Sequence, residues 1–246
     1  MLITLLTDFG TADGYVAEMK GVLTTVAPGA TIVDLSHDIP PHDVESARLA
    51  VARYWKRFPP GTVHLIVVDP GVGSARRAIA VASDGRYLVG PDNGVLSPAM
   101  LVPGAEVVSI PVPADAAPTF HGRDVFAPAA AALARGEAIQ SLGPAHEDPV
   151  IRRTPEVHRD TDGWLSGEVL VIDRFGNAVT NLVKAQATQV QVADRVIPLG
   201  RTYADVAPGE PVALVGSSGL IEIAIREGSA ADSLGLRRGT TVRARD

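Results

Sequence analysis

LITLLT at residues 2–7, TIVDLS at 31–36 and VHLIVV at 63–68 are three short, largely apolar runs, and each reads as a buried strand. Helix-like stretches separate them. GYVAEMKGVLTTV at 14–26 carries Tyr15, Met19, Val22 and Val26 close to helical spacing and stops at Pro28-Gly29. DVESARLAVARYWKRF at 43–58 opens on an Asp that caps a helix. It sets Val44, Ala47, Val51, Tyr54 and Trp55 on an inner face and ends at Pro59-Pro60-Gly61. Strand, helix, strand, helix, strand implies parallel pairing through right-handed crossovers, hence a three-layer α/β domain with a mostly parallel sheet. Strands at 78–82 and 107–110 and an alanine-rich helix near 124–135 complete it.

The pattern changes after about residue 140. Stretches 163–172, 178–183, 189–199, 211–225 and 240–245 read as short strands separated by Gly, Pro and Asn signals. Gly216-Ser217-Ser218-Gly219 marks a hairpin turn within the fourth. The expected organisation is an α/β domain over 1–145 and an all-β, barrel-like domain over 160–246, joined by a polar linker at 146–162.

Composition narrows the function. With 246 residues, 46% hydrophobic and 20% charged, the chain has an ordinary globular balance. A net charge of −6 without a basic stripe argues against nucleic acid and suits a cationic small substrate. The absence of cysteine removes disulfides, thiolate metal sites and a Cys nucleophile. The opening MLITLLTDFG lacks the basic region of a signal peptide, and no apolar run approaches membrane-spanning length, so a cytoplasmic protein is expected.

The first three strands end in Thr7-Asp8, Ser36-His37 and Asp69. In an open parallel sheet the ligand crevice lies beyond the carboxyl ends of the strands, which turns Asp8 and Asp69 towards one crevice. Asp is also an ordinary turn former, so neither residue settles the matter alone. The loop DPGVGSARR at 69–77 is neither a dinucleotide fingerprint nor a P-loop: Arg76 replaces the third Gly, strand follows instead of helix, and no Lys-Ser/Thr pair appears. What remains is a turn that sets a carboxylate near a guanidinium. TFHGRDVF at 119–126 presents His121 at a helix entrance, and IDRFGN at 172–177 places Asn177 between two strands, where an amide can read an adenine edge.

Six segments in order, TDFG-x-x-D-G-Y at 7–15, VVDPGVGS-x-RR at 67–77, GPDNG at 90–94, TFHGRDVFAP at 119–128, IDRFGN and SSGLIEIA at 217–224, resemble the SAM hydroxide adenosyltransferases and their fluorinase and chlorinase relatives. The resemblance covers nearly the whole chain. It implies an α/β domain followed by a barrel-like β domain, assembled as a homotrimer with S-adenosylmethionine (SAM) at subunit interfaces. It further implies Asp69, Arg76 and His121 as the catalytic set and Asp8 on the ribose diol. Asp13, Asp173, Asn177 and main chain near Ile225 join the substrate-binding set. Tyr203 would stack on adenine, and Ser217 and Glu222 would take the amino-acid end.

The implied reaction is attack of water at C5′ of SAM, releasing adenosine and L-methionine with SAM as substrate and no cofactor or metal. Arg76 beside Asp69 is expected to lower the carboxyl pKa. Within the family the alternative is a halogenase, which replaces that carboxylate with an aromatic residue and carries a longer loop where this chain has only Val102–Pro118. Outside it, Asp8, Asp13, Asp69, Asp92 and His121 could form a divalent-metal site, or the pocket could bind nucleosides without catalysis.

Overall fold

Alternation of buried side chains along the central strands explains the layering of the first half. In β1 (Leu2–Thr7), Ile3 and Leu5 enter one core while Leu6 enters another. The computed structural model describes residues 1–183 and 187–245 and divides into two units, Met1–Arg153 and Thr154–Asp246.

In the first unit β1 is followed by α1 (Tyr15–Val26), β2 (Thr31–Ser36), α2 (Val44–Tyr54), β3 (Val63–Val67), β4 (Ala78–Ser83), β5 (Arg86–Pro91), α3 (Ser97–Met100), β6 (Glu106–Ile110) and α4 (Ala127–Ala134). The sheet order is β2-β1-β3-β5-β4-β6. Pairs β1–β2, β1–β3 and β3–β5 are parallel, while β4 runs antiparallel to β5 and β6. Helices α1 and α4 contribute to the core that takes Val63, Leu65 and Val67 of β3. Helices α2 and α3 contribute to the core that takes Ile66 and Val68. This is a three-layer α/β arrangement with a mostly parallel sheet.

Asp43 caps α2, its carboxylate accepting from Ser46 N at 3.0 Å. Three local readings change. The strand β5, ending on Gly90-Pro91, is absent from the elements expected from the sequence. Helix α1 buries Val16, Met19 and Leu23, whereas Tyr15 is 47% exposed. The turn Gly122–Phe126 before α4 is π-helical rather than α-helical.

The second unit contains β7 (His158–Arg159), β8 (Leu165–Ile172), β9 (Ala178–Val183), β10 (Gln189–Val192), β11 (Arg195–Pro198), β12 (Pro211–Val215), β13 (Leu220–Ile225), α5 (Ala230–Leu234) and β14 (Thr241–Arg245). Its antiparallel order is β11-β10-β14-β8-β9-β13-β12. The two edges approach through a Leu199–Ala213 bridge and a 2.8 Å bond from Gly200 N to the Ala213 carbonyl, giving a nearly closed barrel. Its core gathers Val169, Leu182, Val190, Ile197, Ile223 and Val242. The stretch 189–199 is a hairpin and not one strand, because Ala193 adopts a left-handed φ of 49° and reverses the chain.

Candidate active site

Strand register brings the expected acids of the first unit to one edge. Thr7 pairs with Val67 across β1 and β3, so Asp8 and Asp69 leave adjacent parallel strands at their carboxyl ends. Asp8 Oδ2 accepts from the His42 backbone N–H at 2.7 Å. That contact holds His42 in a left-handed conformation, φ 67°. Asp13 sits exposed on the same loop, between Asp8 and α1.

Asp69, Arg76 and His121 are in contact. Arg76 Nε donates to Asp69 Oδ1 at 3.1 Å and its Nη2 donates to Oδ2, a bidentate pairing. Nη2 also reaches His121 Nδ1 at 3.1 Å. A guanidinium only donates, so Nδ1 accepts, and neutral His121 carries its proton on Nε2. The carboxylate and guanidinium side chains are only 4% and 7% exposed, and Arg76 lies over the Phe126 ring at 5.3 Å. The loop closes tightly: Gly73, at φ 75°, packs so near the Pro118 carbonyl that a Cβ there would stand 2.7 Å from its oxygen. That contact joins the Asp69 loop to the segment carrying His121. Asp124 pins the same segment, accepting from Ala117 N at 2.9 Å.

The electrostatics correct one expectation. Burial raises the Asp69 pKa, and the opposing pull of Arg76 is the smaller effect, so the carboxyl stands above its ordinary value. Burial first and the Arg76 charge second lower His121, which is therefore neutral at pH 7. The pair is a buried base beside a neutral imidazole, an arrangement suited to accepting a proton near a positioned water. Arg77 does not join them. It pairs with buried Asp92 at 3.0 Å and with Asp148 at 2.7 Å. Among the described residues no group of three or more His, Asp or Glu side chains is arranged to hold a metal ion.

Next to this set, the rings of Phe9, Tyr15 and Phe120 meet edge to face, with centroids 5.3–6.1 Å apart. With Glu18 and Arg123 they line a cavity of about 370 Å³. None of these three aromatics was assigned a site role from the sequence, although each lies within a quoted motif.

The second unit brings half of its expected residues to another cavity. Asn177, Tyr203 and Ile225 line about 480 Å³ with Phe175, Glu227 and Gly228. Asp173 supports this wall from behind. Its Oδ1 accepts from Phe175 N at 2.8 Å and Asn177 N at 2.9 Å, and its Oδ2 accepts from Asn177 Nδ2 at 3.0 Å. Asp173 thus fixes the amide that faces the cavity. Tyr203 belongs to a short 3-10 turn closed by a Thr202–Asp205 capping box. Its phenol pKa is raised by burial and then by the negative charges of Glu222 and Asp173. Glu222 lies buried on β13, its carboxylate passing directly over Gly216, where any side chain would collide with it. Ser217 is exposed in the adjoining turn. Phe175, Glu227 and Gly228 are cavity residues not expected from the sequence, although Phe175, 77% exposed, lies inside the quoted IDRFGN segment.

The chain is similar to known proteins along nearly its whole length. Residues 3–143 match the SAM hydroxide adenosyltransferase N-terminal domain and residues 167–243 the corresponding C-terminal domain. The chain belongs to the SAM hydroxide adenosyltransferase family. It is 45% identical to a Thermus thermophilus protein named (R)-S-adenosyl-L-methionine hydrolase, over 98% of each chain. Within the family's wider circle it is 29% identical to a fluorinase of an Actinoplanes species, over 98% of this chain and 96% of that one. A crystal structure of an uncharacterized conserved protein from Thermotoga maritima superposes with a TM-score of 0.89 at 31% identity, covering all of both chains. In this adenosyltransferase chain no described helix is long and apolar enough to cross a membrane.

Proposed function

We propose that the protein hydrolyses (R)-S-adenosyl-L-methionine to adenosine and L-methionine by in-line attack of water at C5′. The observation that carries this reading is Arg76 gripping Asp69 while donating to His121. The name of the 45% identical relative agrees with it.

A sulfonium leaves as a neutral thioether, so nothing need protonate it. The C5′–S electron pair goes to sulfur, the water oxygen bonds C5′, and one proton must be removed. Asp69 takes that proton in the transition state, its burial keeping it more basic than an exposed carboxylate. His121 offers its Nε2–H to a water lone pair and fixes the attack line. Positioning of this kind supplies up to about 7–11 kcal/mol in favourable cases. No step requires a metal or cofactor.

Asp8 accepts from the ribose hydroxyls, with Asp13 on the same loop completing that side. Tyr203 and Phe175 stack on adenine, and Asn177, held by Asp173, reads its edge beside the main chain at Ile225. Ser217 and Glu222 take the methionine end, with Glu222 on the ammonium. These two groups of residues serve one substrate in a cytoplasmic homotrimer, with each site at a subunit interface. A halogenase reading is disfavoured because Asp69 would repel a bound halide.

The test is product analysis with each sulfonium epimer, with and without chloride and a chelator. Adenosine and methionine from the (R) epimer, unaffected by chelator, are expected. A 5′-halo-adenosine or methylthioadenosine as the main product would overturn the reading.

A further inference from the structure

The loop after β5 touches the Asp69–Arg77 loop at both of its ends. Asn93 Nδ2 donates at 2.9 Å to the carbonyl of Val68, the peptide immediately before Asp69. Its Oδ1 accepts from Val95 N at 3.1 Å, which fixes the amide in one orientation. At the other end, Asp92 N donates at 2.9 Å to the Arg77 carbonyl. The same oxygen accepts from Arg76 Nη1 at 3.2 Å.

The loop itself is strapped down. The buried Asp92 carboxylate accepts from Arg77 Nε at 3.1 Å, His146 Nε2 at 3.2 Å and Val150 N at 2.7 Å. His146 Nδ1 meets Ser109 Oγ at 2.9 Å, and Arg152 Nε donates to the Asn93 carbonyl at 2.8 Å. Residues 146–152, expected from sequence as part of a linker, thus fasten this loop within the first unit.

We infer that Asn93 is a positioning residue for the Asp69–Arg76 pair, acting through the Val68 carbonyl, while Asp92 and the 146–152 strap hold the Arg77 end. The inference rests on the hydrolase reading above for its effect on rate. Rotation of the Val68–Asp69 peptide would swing the carboxylate away from Arg76 and out of line with the water, and small misplacements are costly to catalysis. The Asn93 amide is engaged with backbone on both sides, so its effect on the reaction runs through Asp69.

Two variants test it. Asn93→Ala removes the donor, and Asn93→Gln keeps the amide but displaces it by one methylene, which guards against a variant that fails to fold. The Asp69 carboxyl is titrated by carbon-13 NMR in ligand-free protein, alongside steady-state kinetics. The expected outcome is an Asp69 midpoint moved to higher pH, since loosening from Arg76 leaves burial less opposed. With it, kcat should fall about tenfold or more while KM stays within about threefold, Gln lying between Ala and wild type. A general loss of folded protein would lower activity without moving the midpoint. An unmoved Asp69 midpoint in the folded variants overturns the inference whatever the activity. Absence of hydrolysis by the wild type would count against the hydrolase reading alone, because the titration does not depend on turnover.

Discussion

The Arg76 guanidinium holds both carboxylate oxygens of Asp69, and one of the same nitrogens reaches His121 Nδ1. A single planar cation therefore fixes the orientation of the carboxylate and the tautomer of the imidazole together. Lysine, a point charge without the fork, cannot make these contacts at once. Arg76→Lys should lower kcat about a hundredfold while leaving adenosine affinity within about tenfold, a difference of roughly 1.4 kcal/mol. Stopped assays and calorimetric titration with adenosine check the two halves of that statement.

The pH dependence follows from the same geometry. On the proposed roles, Asp69 gains a proton as pH falls and can no longer serve as base. His121 gains one on Nδ1, which turns an acceptor into a donor facing Arg76. Burial holds the Asp69 carboxyl above its ordinary value, and burial with the Arg76 charge holds His121 below its own. Activity should therefore fall as pH is lowered, with its acid limb at higher pH than an ordinary exposed carboxylate would give. An acid limb at or below 3.8, the ordinary carboxylate value, would mean that another group controls the reaction.

Asp8→Ala should act on binding. Its proposed ribose partners are present in ground state and transition state alike, so the loss appears in KM. Hydrogen bonds to a charged group contribute about 1.5–3 kcal/mol, which corresponds to roughly ten- to a hundredfold weaker adenosine binding. The variant also loses the anchor of His42, so a lowered melting temperature should accompany it. Calorimetry that finds adenosine affinity unchanged would remove Asp8 from the ribose.

Tyr203→Ala and Phe175→Ala should each weaken adenosine binding, since aromatic stacking contributes about 1–3 kcal/mol per base. Replacing Tyr203 by Phe keeps the ring and should preserve affinity. Equal losses for Phe and Ala would point to the phenol hydroxyl instead of the ring face.

Much of this was legible in the sequence, for identifiable reasons. Strands β1 to β3 are continuous apolar runs with an Asp cap and Pro-Gly stops between them, and their parallel order brings Asp8 and Asp69 to one edge. Strand β5 was hidden because its last residues, Gly90 and Pro91, carry turn chemistry while pairing with Ile79 and Ala78. The β10–β11 reversal uses Ala193, a residue type that gives no left-handed signal. Tyr15 fits helical spacing yet belongs to the aromatic cluster with Phe9 and Phe120, a tertiary contact that periodicity cannot reveal. The rise of the Asp69 pKa was likewise hidden, because sequence displays the neighbouring Arg but not the depth of burial.

Subunit mixing addresses the shared-site assembly. Asp69→Ala and Asn177→Ala are each expected to be inactive or nearly so. After confirmed exchange of subunits, some interfaces of a trimer would regain both intact halves, and part of the activity should return. Persistent inactivity, or an active monomer in light scattering, would contradict assembly of one substrate site from two chains.

The most direct test of the central claim follows the attacking atom. The purified protein is incubated with (R)-S-adenosyl-L-methionine in heavy-oxygen water, and both products are examined by mass spectrometry. Attack at C5′ predicts one heavy oxygen in the 5′-hydroxyl of adenosine and none in methionine, with labelling abolished in Asp69→Asn. Unlabelled adenosine, or label appearing in the methionine product, would contradict water attack at C5′.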